Sequence, residues 1–134
     1  MNTINVIVEY ANNNFSAYIE NLPIMTVGNN LKEIEKNISE AIELYIDSCR
    51  EMNITVNPVL ANEYKLNFKL DAATFINYYS GIFTKSALSR ITGINERQLW
   101  HYAAGVHKPR KQQLEKIQQG INNLTTELSS IHLL

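Results

Sequence analysis

The sequence predicts an α+β chain, a small unit of order β-β-β-α-β followed by an all-helical one. Three observations carry this expectation. Two-residue alternation of apolar side chains, the period of half-buried strands, is confined to residues 1–70. Beyond Asp71 only helical spacing recurs, punctuated by Gly81, Gly93 and Gly105. The two parts also differ in charge. Residues 1–83 hold five bases against ten acids, net −5, and residues 84–134 hold seven bases against three acids, net +4.

Each element follows from local chemistry. Ile4, Val6, Val8 and Tyr10 alternate, a run of Asn supplies a turn, and Phe15, Ala17 and Ile19 resume the alternation, so residues 3–20 read as a hairpin. A short third strand ends at Gly28. Leu31, Ile34, Ile38, Ala41, Ile42, Tyr45 and Ile46 form one apolar stripe of a helix reaching about Met52, with Asn30 and Glu33 as its capping box. The acids of that helix, Glu35, Glu40, Glu43 and Asp47, fall mainly on its polar side and read as a solvated face. After Pro58, Tyr64, Leu66, Phe68 and Leu70 alternate with Lys65, Asn67 and Lys69 to make the last strand. The sheet is then covered on one side by one helix. Domain boundaries fall at 1–70 and 71–134.

The second domain opens with a helix capped by Asp71 and ending near Gly81. Thr84 caps the next helix, Ala87, Leu88 and Ile91 lie on its inner side, and Gly93 stands where a left-handed residue stops it. Asn95 caps another, with Gln98 completing the box and Leu99 facing inward beside Tyr102 or Ala103. Gly105 ends that helix, and Pro109 is placed at the first turn of the last one. Two short helices joined by a three-residue Gly turn make a helix-turn-helix. In the last helix Leu114, Ile117, Ile121, Leu124, Leu128 and Ile131 recur at alternating steps of three and four, a seam that predicts a homodimer or higher homo-oligomer.

Composition removes several function classes. The 134 residues are 45% hydrophobic, yet no run approaches the roughly 18 apolar residues of a membrane span. The lone Cys49 cannot form an internal disulfide, and the first residues lack a basic leader, so a cytoplasmic protein without membrane attachment is expected. No metal or cofactor is expected, since no second His or Cys stands at ligand spacing from His101.

Leu88, Ser89, Gly93, Ile94, Leu99, Gly105 and Pro109 keep the spacing of the phage-repressor (Cro/CI, or Xre) helix-turn-helix, which this stretch resembles. Lys85 and Ser89 stand where that family usually has Gln and Ala. The resemblance implies a DNA-facing set of Lys85, Asn95, Glu96, Arg97, Gln98, His101, Lys108, Arg110 and Lys111. In it Glu96, Arg97 and His101 would project toward base edges, and Lys85, Lys108, Arg110 and Lys111 toward phosphates. Gln98 is equally a capping residue, and Trp100 is expected to pack on a neighbouring helix or a second subunit.

With both halves considered, the chain resembles the HicB-type antitoxins of type II toxin–antitoxin systems. Leu22, Pro23, Thr26, Gly28 and Leu31 keep that pattern, while Ile24 and Asn29 replace a usual Gly and Asp. The resemblance implies a partial RNase H-like first domain that neutralises a HicA-type ribonuclease toxin. It implies a second domain that represses the operon by binding double-stranded promoter DNA. Metal-dependent cleavage in the RNase H-like fold needs clustered carboxylates. Glu9 and Glu20 are the acids of the first strands and no Asp lies there, so an enzyme is not expected. The alternative is a plain repressor whose first domain binds a small ligand or oligomerises.

Overall fold

The computed structural model describes residues 1–134, the side chain of Ala11 excepted. The fold is mixed α+β, with one four-stranded sheet at the N-terminal end and six helices. The chain divides into two compact units, Met1–Asp71 and Ala72–Leu134. No helix among the described residues is long and apolar enough to cross a membrane.

In the first unit β1 (Asn2–Ala11), β2 (Asn14–Ile19), β3 (Met25–Gly28) and β4 (Tyr64–Leu70) form a sheet of order β3-β2-β1-β4. The first hairpin closes on the pair Ala11–Asn14, with Asn12 and Asn13 at φ 55° and 61°. Two consecutive left-handed residues match the twist of paired strands, and Asn tolerates that backbone. β1 and β4 run parallel in the register Ile4–Leu66, Val6–Phe68, Val8–Leu70. Parallel neighbours require a crossover, and α1 (Leu31–Glu51) is its main element.

α1 starts where expected, because the Asn30 side chain accepts from the Glu33 amide at 2.8 Å. Its buried residues Ile34, Ile38, Ile42 and Cys49 join Val6, Val8, Phe15, Ala17 and Ile19 in the core. The rest of the stripe (Leu31, Ala41, Tyr45, Ile46) is half-buried. Gly28 permits a close approach, since an added Cβ would lie 3.2 Å from the Ile34 amide. The Asn37 amide donates to the Val27 carbonyl at 2.8 Å, pinning α1 to β3. A one-turn helix, α2 (Pro58–Ala61), precedes β4 and buries Leu60. The apolar residues of β4 are only half-buried, in keeping with its place at the sheet edge.

The second unit contains α3 (Ala72–Tyr78), α4 (Lys85–Thr92), α5 (Glu96–Ala103) and α6 (Lys111–Ser129). Its core is Ala72, Ile76, Leu88, Ile94, Leu99, Tyr102 and Ile117, with Phe75, Phe83, Ile91, Ala103 and Ile121 packed around it. α3 stops at Tyr78, short of Gly81, and hydrogen-bonded turns carry the chain onward to Phe83. Pro109 is not in the first turn of α6. Arg110 is the N-cap residue and the helix begins at Lys111.

The seam proposed for α6 also needs correction. Ile117 is buried in its own unit and Ile121 packs against that core. Ile131 lies past the C-cap residue Ser130, outside the helix. The Ser130 hydroxyl donates to the Glu127 carbonyl at 2.7 Å, occupying an acceptor that another helical turn would need. Leu114 and Leu128 are exposed and Leu124 is half-buried.

Candidate nucleic-acid interface

The site is built by two eight-residue helices and the turn between them. The Thr84 hydroxyl accepts from the Ala87 amide at 3.0 Å and starts α4. Gly93, at φ 75°, ends it in the left-handed conformation and donates its amide to the Ser89 carbonyl. Inside the turn the Thr92 hydroxyl donates to the Leu88 carbonyl at 2.7 Å and accepts from the Ile94 amide at 3.2 Å. Buried Ile94 then anchors the turn, and Asn95 starts α5 by accepting from the Gln98 amide at 2.8 Å.

α5 turns Leu99 and Tyr102 inward. Glu96 and Arg97 at its start are exposed, Gln98 is half-buried, and the Asn95 side-chain oxygen is engaged by the cap. Of these residues, Arg97 presents a free fork of donors at the helix start. Lys108, Arg110 and Lys111 are exposed where the chain enters α6. Among the described residues the ion pair present is Asp47–Arg50, so none of these second-unit bases is neutralised by an acid. Unpaired cations around a helix start suit a polyanion, because each phosphate neutralised releases counterions.

Two contacts were not foreseen. The Lys85 ammonium lies 4.2 Å from the ring centre of Trp100, which joins the start of α4 to the middle of α5. Trp100 itself is 57% exposed and is not a core residue of its unit. A cation over an indole face is stabilised by about 0.5–1 kcal/mol at an exposed site, enough to bias the orientation of the Lys85 side chain. Second, the rings of His101 and His107 meet edge to face with centres 4.8 Å apart. Their separation of six residues is not a helical ligand spacing. Gly105, at φ 76°, turns the chain back so that the Val106 and His107 amides both reach the His101 carbonyl. The left-handed glycine was the available signal.

The first unit holds a cleft of about 240 Å³ lined by Thr3, Asn5, Glu20, Asn21 and Asn57 among others. That is below the roughly 300–1,000 Å³ usual for small-molecule sites. Glu9 and Glu20 are exposed. Among the described residues no three His, Cys, Asp or Glu side chains are grouped to hold a metal ion. Comparison with known proteins finds no matching family model, no matching curated protein and no matching solved structure, so the reading of this surface rests on its residues.

Proposed function

We propose that the chain is a non-catalytic, HicB-type antitoxin that represses transcription, with its second unit acting as a helix-turn-helix on duplex promoter DNA. The observation that carries the DNA reading is a single local arrangement. Two capped helices meet at left-handed Gly93, and the exposed Arg97 and the bases Lys85, Lys108, Arg110 and Lys111 are unpaired by any acid. In this reading α5 enters the major groove, Arg97 pairs with a guanine edge, and the remaining bases grip phosphates. Lys85, steadied by Trp100, is the phosphate ligand of α4.

The first unit, with its acid surplus, is assigned to a basic ribonuclease toxin of the HicA type, and its sheet to a partial RNase H-like fold. Support comes from the strand order, from the α1 crossover and from the charge split. Dimerisation is assigned to the exposed Leu114 and Leu128 of α6 and the half-buried Leu124. A two-fold dimer would set two recognition helices about 34 Å apart, or a multiple of that, on successive major grooves.

The test is promoter binding by single variants across a salt series. Arg97→Ala is expected to cost about 1–3 kcal/mol and to relax specificity at one base pair. Lys108→Ala is expected to weaken all sequences alike and to lower the salt slope by about one. Full promoter affinity in the triple variant Arg97→Ala, Lys85→Ala, Lys108→Ala would overturn the assignment.

A further inference from the structure

We infer that Trp100 is a specificity-determining residue, its indole packing on the C5-methyl group of a thymine near the guanine met by Arg97; this rests on the DNA reading of α5. Position is the first ground. Trp100 stands three residues after Arg97 and four after Glu96, so the three share one side of α5. All three are exposed, and Leu99 and Tyr102 take the buried side. Trp100 is 57% exposed and absent from the core of its unit, so packing within the unit does not account for it.

The second ground is the charge around the ring. The Lys85 ammonium lies 4.2 Å from the ring centre, and a cation there biases the indole toward one orientation. Lys85 and Arg97 thus flank Trp100, each without an acidic partner. Such surroundings favour a polyanion over an apolar protein surface. A two-fold contact centred on Trp100 would set the Lys85 and Arg97 of one copy against those of the other.

The third ground is what an indole can recognise on a duplex. Its polar group is a single N–H donor, so it cannot make the bidentate pairs by which Arg reads guanine and Asn reads adenine. Paired bases are stacked on one another, which closes ring-on-base stacking to it. The thymine methyl is the apolar group that the major groove displays, and apolar side chains read it. Three residues advance about 4.5 Å along a helix, against about 3.4 Å per base pair. The thymine therefore falls within about two base pairs of the guanine.

The experiment measures binding of the full chain to its promoter duplex at low salt, where phosphate contacts hold even weakened complexes together. Thymines of the protected segment are replaced one at a time by deoxyuridine, which removes the methyl alone. In each half-site one thymine, within about two base pairs of the guanine assigned to Arg97, is expected to lose about three- to fivefold in affinity, the effect of one buried methyl. Trp100→Ala is expected to lose that sensitivity with its circular dichroism unchanged, and Trp100→Phe to keep part of it. Trp100 is the sole tryptophan, so its emission reports this contact and should be shielded from acrylamide when the duplex is bound. Three results would each overturn the assignment and leave the DNA reading standing: no uridine-sensitive thymine, equal sensitivity in Trp100→Ala, or an indole as open to acrylamide with DNA as without. A wild-type chain that binds no duplex would end the DNA reading and this contact with it. Loss of a wild-type dimer in Trp100→Ala, with no change in uridine sensitivity, would give the indole to a second copy instead.

Discussion

Gly120 carries more of the second unit than its residue type suggests. By propensity alone, alanine in the middle of α6 would be better by about 1 kcal/mol. Yet Gly120 is buried, and a Cβ there would collide with the Ile91 carbonyl oxygen and approach Thr92 Cα to 3.2 Å. Both obstacles are backbone, so neither can rotate away. Gly120→Ala is therefore expected to destabilise the unit by about 1–3 kcal/mol, read as a lower denaturation midpoint. Gly93 is the opposite case: nothing lies within 4 Å of its added Cβ, and the cost of Gly93→Ala is that of the left-handed backbone, about 1 kcal/mol. The sequence revealed Gly93 because a glycine between two caps has a local reason. It hid Gly120, whose reason is the C-terminal end of another helix, some thirty positions away. A titratable residue belongs to the same scale. Burial, reinforced by Tyr78, raises the Tyr79 phenol above the ordinary tyrosine value. A raised value means that the unfolded chain loses its proton first. The contribution is thus complete below about pH 10, and is lost as pH rises toward the folded value. Stability measured between pH 8 and 11 is expected to fall at the alkaline end, and less so in Tyr79→Phe.

In α6 the helical period predicts one apolar face, and part of that face is packed inside its own unit. Steps of three and four define an apolar face, but they do not say what covers it. Its own unit takes Ile117 and Ile121, while Leu114 and Leu128 are exposed and Leu124 is half-buried. Two variants separate these roles. Ile117→Ala opens a cavity in the core and is expected to cost about 2–5 kcal/mol. Leu124→Asp with Leu128→Asp is expected to leave the unit folded and to shift sedimentation from dimer to monomer. A dimer that persists would move the interface off α6. Other elements were legible because their signals are local. The Asn12–Asn13 turn, the Asn30, Thr84 and Asn95 caps and the alternation of β1 all lie within a few residues of what they determine. The four-residue α2 was missed, since one turn has no period to detect. Pro109 was misplaced by one turn-entry position, because proline's fixed φ suits the extended residue before a cap as well as the first helical one. At the candidate interface, exposure of Arg97 followed from its place beside Asn95. The Trp100–Lys85 and His101–His107 contacts did not, since they depend on how α4 and the α6 entry return to α5.

At the scale of the whole chain, the two units have separate cores and opposite net charges. Met1–Asp71 is a compact unit with its own buried set, from Ile4 to Leu60, so that fragment is expected to fold alone. Its surplus of acids fits a partner that normally binds RNA phosphates, because the protein surface then takes the place of the polyanion. Charge complementarity of this kind mainly speeds encounter and orients the partners, while lasting affinity comes from apolar contacts. The half-buried Leu66, Phe68 and Leu70 of the edge strand and the exposed Met25 and Val27 of the opposite edge offer such contacts. Raising salt from 50 to 500 mM is therefore expected to lower the association rate with a small basic ribonuclease by about tenfold or more, with a smaller change in dissociation. The fragment and the Arg97→Ala full chain should bind that partner alike, because neither change touches the first unit. If the fragment folds, by circular dichroism, yet binds no such partner at any salt, the antitoxin reading fails and the DNA reading survives. If the fragment binds and the Arg97→Ala chain still holds its promoter at full affinity, α5 is not the reading element, and the division of labour lies elsewhere in the second unit.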